Sequence, residues 1–141
     1  MLIQSSAYGT ISVTDEQVFA FESGIVGIPE IREYAILPFQ DTSFFILHAL
    51  SGDVSFILLP ASQAAIPDYS FELSDEAAER LLAKDPRDLE VFLIVNAQED
   101  RLYVNLLAPI LLSATVRKGY QYVITDKAYA IRHPLVAEGG E

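Results

Sequence analysis

The most informative segment of this chain is Asn105-Leu-Leu-Ala-Pro-Ile110, which is followed by Arg117-Lys-Gly-Tyr-Gln-Tyr-Val-Ile-Thr-Asp126 and Ile131-Arg-His-Pro-Leu135. Pro109 has no amide hydrogen to donate to a β ladder, so it predicts a break, a bulge or a switch between sheets. The order strand, proline break, strand, glycine turn, strand and proline-terminated extension indicates a β protein. None of these side chains is a plausible catalytic group.

Apolar runs on both sides of this stretch predict further strands, some alternating with polar residues and some continuous. The predicted strands cover residues 10–14, 17–21, 34–39, 44–50, 55–60, 89–96, 101–107 and 120–125. Short turns join them, such as Ser51-Gly52-Asp53, which indicates a hairpin. We expect a mainly β fold of about eight to ten strands, a single-domain antiparallel β-barrel or sandwich over residues 1–136, with a flexible C-terminal tail at 137–141.

One short helix is predicted at about residues 75–84, where it would cover an end or an edge of the barrel. Ser74 can cap the first free amides, and the acidic residues of the first turn favour the positive end of the helix dipole. Ala77, Ala78, Leu81 and Leu82 form an apolar stripe. Pro86 is the predicted stop. Residues 61–73 are predicted to form a longer connection that ends in a short extended piece at 71–73.

The net charge of −11 is concentrated in the first part of the chain. Residues 1–79 contain twelve Asp or Glu and one Arg, whereas residues 80–141 contain eight acidic and eight basic residues. Such a surface repels phosphate backbones, which argues against direct nucleic-acid binding, and it favours a basic protein partner. Solubility alone is the alternative explanation.

The N-terminus lacks the features of a signal peptide, no apolar run is long enough to span a bilayer, and the chain contains no cysteine. We therefore expect a cytoplasmic protein with no membrane partner and no disulfide. The two histidines, His48 and His133, are not spaced as metal ligands, and no nucleotide-binding or hydrolase motif is present. The sequence predicts no cofactor, no metal site and no enzymatic activity.

Asn105 has two interpretations. In the first, which we favour, its side-chain amide satisfies backbone groups that are left free by the break at Pro109. In the second, it lies on a surface that binds a partner. His48 shares a strand face with Phe44 and Ile46, so it is interpreted as a core or edge residue.

From end to end the chain resembles the FliW family of flagellar assembly factors. The C-terminal signature is the most specific part, and it comprises Asn105–Ile110, Gly119–Asp126 and Arg132–Leu135. The passage 19–29, with its two glycines and a proline, and the segment 68–75 before the helix are similar as well. The chain departs from the family pattern at Val26, Ile28 and Tyr120.

This resemblance implies a non-enzymatic cytoplasmic regulator with two protein partners. One is CsrA, a small basic RNA-binding protein that represses translation of flagellin mRNA, and the other is flagellin. The resemblance implies that the free regulator sequesters CsrA, and that unexported flagellin occupies the regulator and releases CsrA.

The candidate binding residues fall into two groups. The first is predicted from charge to face CsrA, although a solvated helix start explains it equally well; it consists of Asp68, Glu72, Asp75, Glu76 and Glu79. The second consists of Tyr103, Asn105 and Pro109, which we expect to shape a protein contact.

Three other functions compete with this hypothesis. The chain could be a small-ligand-binding β-barrel module for a flavin or nucleotide, but such a site needs polar groups that converge on a pocket, and the sequence shows none. A hydrolase that uses unrecognised carboxylates is a second alternative. The third is an acidic structural scaffold whose apolar strands form an oligomer interface.

Overall fold

The computed structural model describes residues 1–83 and 85–135 and contains eleven strands and two short α-helices in those ranges. The strands are β1 (Leu2–Ser5), β2 (Gly9–Ser12), β3 (Val18–Ala20), β4 (Glu33–Pro38), β5 (Phe45–Ala49), β6 (Ser55–Pro60), β7 (Leu89–Gln98), β8 (Arg101–Val104), β9 (Ile110–Ser113), β10 (Lys118–Gln121) and β11 (His133–Pro134). The helices are α1 (Ala61–Ala64) and α2 (Asp75–Arg80), and single 3-10 turns lie at Asp15–Gln17 and Pro86–Asp88.

Seven of these strands close into a barrel, in the order β7, β6, β5, β4, β3, β10, β9 and back to β7. Neighbouring strands are antiparallel except β3 and β10, which meet in parallel at Ala20 and Lys118. The predicted mainly β, mainly antiparallel, single-domain barrel is therefore confirmed. β8 and β11 extend the sheet beyond the ring.

The strand β7 is the branch point of the sheet, because two different strands pair with the same side of it. Its first half, Leu89 to Phe92, pairs with β9, and its last four residues pair with β8. The chain leaves β7 after Val104 and returns at Ile110. Residues 105–109 form the corner between them, so the predicted break in the ladder at Pro109 is confirmed.

The barrel interior is filled by side chains. Phe21 and Tyr34 are fully buried and their rings meet edge to face, with centroids 5.2 Å apart. Gly119 on β10 lies directly against Phe21, and a Cβ atom at this position would be 2.3 Å from the ring. Position 119 therefore requires a glycine because a side chain would clash with the Phe21 ring. Its backbone conformation does not itself require glycine.

The first two strands form a separate hairpin that packs on the outside of the barrel. Ile3 and Val13 from this hairpin contact Ala35, Leu37 and Ile46. The first of these strands, Leu2–Ser5, was not predicted, because its alternation is too short to distinguish it from a free terminus. The predicted strand at 17–21 is shorter than expected, since Gln17 belongs to a capping box with Thr14.

The prediction of a single helix at 75–84 is wrong in two respects. A second helix, α1, follows Pro60 directly, inside the predicted connection. The helix α2 ends at Arg80, because Leu82 adopts a left-handed conformation with φ of 52° well before Pro86. The predicted last helical residue, Lys84, and the predicted tail at 137–141 lie outside the described residues. In the described ranges, residues 71–73 form no strand.

His48 is completely buried on β5, as predicted for a core histidine. Its Nδ1 atom lies 2.8 Å from the carbonyl oxygen of Ala49, so Nδ1 donates a hydrogen bond to that carbonyl. No helix within 1–83 and 85–135 is both long and apolar enough to cross a membrane.

Candidate protein-binding surface

The acidic segment 68–74 has no regular secondary structure, and a buried tyrosine holds its end against the barrel. The Tyr122 hydroxyl donates to the carbonyl oxygen of Glu72 at 2.8 Å and accepts from the amide of Ser74 at 3.1 Å. The hydroxyl of Tyr122, which follows β10 in the chain, therefore satisfies two backbone groups of the segment. This fixes the start of α2 relative to the sheet.

Two further tyrosines anchor the beginning of the same segment. The Tyr69 hydroxyl donates to the carbonyl oxygen of Leu106 at 2.6 Å, which joins the segment to the corner at 105–109. The Tyr129 hydroxyl donates to the carbonyl oxygen of Ser70 at 2.9 Å and accepts from its amide at 3.0 Å. Burial, with a smaller contribution from Tyr129, raises the pKa of Tyr69, so its hydroxyl stays protonated and able to donate.

Ser74 caps α2 as predicted, because its Oγ atom accepts a hydrogen bond from the amide of Ala77 at 3.1 Å. The helix buries Ala77 and Leu81 against the barrel. Most of its other side chains divide between two flanks, and Glu79 lies opposite the buried face. Asp75 lies on the flank of Ala78, whereas Glu76 and Arg80 lie on the opposite flank.

The Glu76 and Arg80 flank is internally neutralised. The Arg80 guanidinium lies 3.2 Å from a Glu76 carboxylate oxygen, and it also donates to the Ser23 Oγ atom at 3.0 Å. This pair is largely exposed, so its contribution to stability is small. It nevertheless removes Glu76 from the set of free carboxylates that the sequence grouped together. Nearby, a hydrogen bond and charge attraction from Lys118 lower the pKa of Glu22.

A groove of about 670 Å³ separates the acidic segment and α2 from the outer face of β7 and β9. Its floor and walls are mainly apolar, and its lining residues are Ser70, Phe71, Glu72, Leu73, Ala78, Ala83, Leu89, Val91 and Leu111. This groove was not predicted from the sequence. The signal available was that β7 is apolar on both faces, which indicates that a second layer lies against its outer face.

All five charge-selected candidates are exposed, and they are Asp68, Glu72, Asp75, Glu76 and Glu79. Glu72 lines the groove, and Asp75 lies on the flank of α2 that carries the groove residue Ala78. Asp68 adopts a left-handed backbone conformation with φ of 57°, and its carbonyl oxygen lies 3.3 Å from the Tyr129 hydroxyl oxygen. Glu72 and Asp75 therefore lie on the groove side of this segment, whereas Glu76 lies on the other flank of α2, paired with Arg80.

Asn105 makes the hydrogen bonds expected from the favoured interpretation. Its Oδ1 atom accepts from the amides of Leu107 at 3.0 Å and Ala108 at 3.1 Å, which the corner leaves without ladder partners. Pro109 is buried, and its carbonyl oxygen accepts from the Tyr122 amide. Its ring is buried at the corner, and a role of Pro109 in shaping a protein contact stays a prediction.

Tyr103 is half-buried on β8, where the Arg132 guanidinium lies over its ring at 5.0 Å from the centroid. Tyr103 pairs with Pro134 of β11 in the sheet. It lies at the extension of the sheet, and the structure does not place it in the lining of the groove. Within residues 1–83 and 85–135, no group of three or more His, Asp or Glu side chains is placed to hold a metal ion.

The comparisons with known proteins agree with this architecture. Residues 2–135 match the model of the FliW protein family. The flagellar assembly factor FliW of Desulfitobacterium hafniense is 35% identical, with 98% of this chain and 93% of that protein aligned. The one from Bacillus subtilis is 31% identical over 100% of this chain and 99% of that protein. A crystal structure of the flagellar assembly factor FliW superposes with a TM-score of 0.87 at 28% identity and covers 99% of both chains.

Proposed function

The chain belongs to the FliW family of flagellar assembly factors, and from this premise we propose that it is a non-enzymatic cytoplasmic regulator that binds the translational repressor CsrA. In this proposal the complex prevents CsrA from repressing flagellin mRNA. Flagellin is the second partner, and its binding releases CsrA. The observation that carries the proposal is the family match over nearly the whole chain.

Electrostatics support the first interaction. A protein that holds RNA needs a positive surface, and this chain carries a net charge of −11 with exposed carboxylates at the groove. When the acidic chain is bound, its charges repel RNA phosphates that lie within a Debye length of about 8 Å. Binding to the repressor and loss of RNA binding are therefore coupled through charge.

The second interaction needs an apolar surface, because the terminal segments of flagellin are amphipathic and disordered before export. Exposed aliphatic side chains are available for this contact, among them Val26, Val123 and Ile131. The partner switch requires that each protein weakens binding of the other, since thermodynamic coupling between two ligands is reciprocal. Flagellin accumulation then shifts the population of the regulator away from the repressor.

A pull-down tests the proposal. The tagged chain is incubated with lysate of a motile bacterium that encodes a FliW-family protein, and the captured proteins are identified by mass spectrometry. We expect a CsrA-type protein and flagellin, with the amount of the former falling as flagellin is added. Recovery of neither protein would contradict the proposal.

A further inference from the structure

The groove is an unfilled cleft with an apolar interior. Leu111 is 1% exposed and forms part of the core cluster beneath α2, while Leu89 and Val91 are partly open to the groove. The volume of about 670 Å³ lies within the range of clefts that bury drug-sized ligands, so there is room for more than one apolar side chain. An occupant must therefore supply apolar side chains.

Among the described residues, the charge at the helix side of the groove is negative. Glu72 lines the groove, and Asp75 is three residues before the lining residue Ala78, on the same flank of α2. Arg80, the nearest base of α2, is directed away toward Glu76 and Ser23. At the other end of the segment, Lys127 donates to the Ser70 Oγ atom at 2.8 Å. An occupant with Lys or Arg at the helix side is complementary to this distribution.

An exposed leucine follows α2. Leu82 is 60% exposed and immediately precedes the lining residue Ala83 in the chain. It provides apolar surface outside the groove, next to the acidic flank. An amphipathic segment that inserts apolar side chains would cover Leu82 as well.

We propose that this groove is the docking site for an amphipathic, basic segment of a protein partner, which inserts apolar side chains over Leu111 and Val91 and places Lys or Arg beside Glu72 and Asp75. The inference deepens the proposed function and rests on it, because it assigns the basic repressor to this groove. Apolar insertion supplies affinity, and the charges set orientation and association rate.

The first experiment measures the affinity of purified CsrA-type repressor for three variants of the full chain by calorimetry. Ala78→Trp fills the groove without removing a core side chain, and Glu72→Lys reverses a rim charge. Glu99→Lys is the matched charge control, because it lies just beyond the far end of β7. Gln98 follows Leu89 by nine residue steps along that strand, which is about 30 Å at roughly 3.3 Å per residue.

We expect Ala78→Trp and Glu72→Lys each to weaken binding about tenfold, and Glu99→Lys to change it less than about twofold. Equal affinity of the wild type and both groove variants would overturn the inference and leave the proposed function intact. If the wild type fails to bind the repressor, the proposed function fails. In that case the three variants and the wild type are titrated with a synthetic helix that has leucines on one face and flanking lysines. Failure of the wild type to bind this helix overturns the inference.

A second measurement covers the case in which Ala78→Trp does not fold. The chain contains no cysteine, so Leu82→Cys introduces one unique thiol for a photo-crosslinker, and Glu99→Cys is its control. We expect crosslinks from position 82 to basic, amphipathic peptides of the repressor, and none from position 99. Crosslinks from position 99 alone would contradict the assignment.

Discussion

At the scale of single residues, Asn105 shows how one side chain makes a corner possible. The chain between β8 and β9 leaves the ladder, and two amides that lose their strand partners bind the same Oδ1 atom. Removal of this acceptor leaves both amides without a hydrogen-bond partner in a partly buried site. The amide oxygen therefore matters more than the side-chain volume.

The substitution Asn105→Ala should lower the free energy of unfolding by about 1–3 kcal/mol, because buried amides without acceptors are costly. Asn105→Asp keeps an acceptor oxygen and should recover most of that loss. Urea denaturation of both variants measures the difference, with the exposed Asn96→Ala as control. Equal stability of the Ala and Asp variants would show that the hydrogen bonds are not the cause.

Tyr34 is the opposite case, since its hydroxyl is buried without a partner among the described residues. Burial, aided by the charge of Glu30, raises the pKa of Tyr34 to about 12. Tyr34→Phe retains the ring and removes the desolvated hydroxyl, so the free energy of unfolding at pH 8 should rise by about 1 kcal/mol. A decrease on urea denaturation would indicate a hidden partner for the hydroxyl.

The same group makes stability depend on alkaline pH. The folded pKa lies above the unfolded value of 10.0, so the unfolded state loses its proton first. Below pH 10 both states keep this proton, so its titration leaves the free energy of unfolding unchanged. As the pH rises from 10 to about 12, loss of the proton favours the unfolded state and the free energy of unfolding falls. Over this window the wild type should lose more stability than Tyr34→Phe. Parallel losses in urea titrations at pH 8 and pH 11 would contradict the assignment.

At the scale of elements, α2 ends in a hydrogen-bonded cap that normally contains glycine. The amide of Ala83 donates to the carbonyl oxygen of Ala78, and the amide of Leu82 donates to that of Glu79, which is the Schellman pattern. Leucine in the left-handed region is strained by its Cβ atom. The helix start was predictable from Ser74, but the end was not, because no glycine marks the position of Leu82.

Leu82→Gly should therefore raise the free energy of unfolding by about 1 kcal/mol relative to Leu82→Ala, which keeps the strain but loses the exposed side chain. Thermal and urea unfolding of the two variants measure the difference. If the strained leucine is retained for binding, the stabilised glycine variant should also bind the repressor more weakly. A glycine variant no more stable than the alanine variant would contradict this explanation of the helix end.

The contact between β10 and β3 should be the least tolerant point of the barrel. Gly119→Ala places a Cβ atom 2.3 Å from the Phe21 ring, so we expect destabilisation of about 1–3 kcal/mol or more from overpacking. Phe21→Leu in the same chain should recover part of this loss, because the two sites share one space. Additive effects in a double-mutant cycle would exclude steric conflict as the cause.

At the scale of the whole molecule, local patterns predicted the class of fold but not how the barrel closes. Alternation and turn residues identify individual strands, since both are local properties. Closure instead depends on the parallel contact of Ala20 with Lys118 and on the division of β7 between two partners. The groove also escaped prediction, because it lies between elements that are distant in sequence.

The distribution of acidic residues is also a property of the whole molecule. The structure shows that the five acids predicted as one patch differ in their surroundings. The sequence grouped five acids as one patch, whereas Arg80 neutralises Glu76, and of the five only Glu72 lines the groove. Buried positions such as Pro109 serve the scaffold. Recognition is therefore expected at the exposed layer outside β7 and β9, and the corner at 105–109 supports that layer through Tyr69.

In the function that we propose, this chain removes a repressor from RNA and flagellin reverses the effect. The most direct test is a gel-shift titration of labelled flagellin-mRNA leader bound to the CsrA-type protein. We predict that added chain releases the RNA, that flagellin restores the RNA complex, and that higher salt weakens the release. RNA that stays bound at saturating concentrations of the chain would contradict the account.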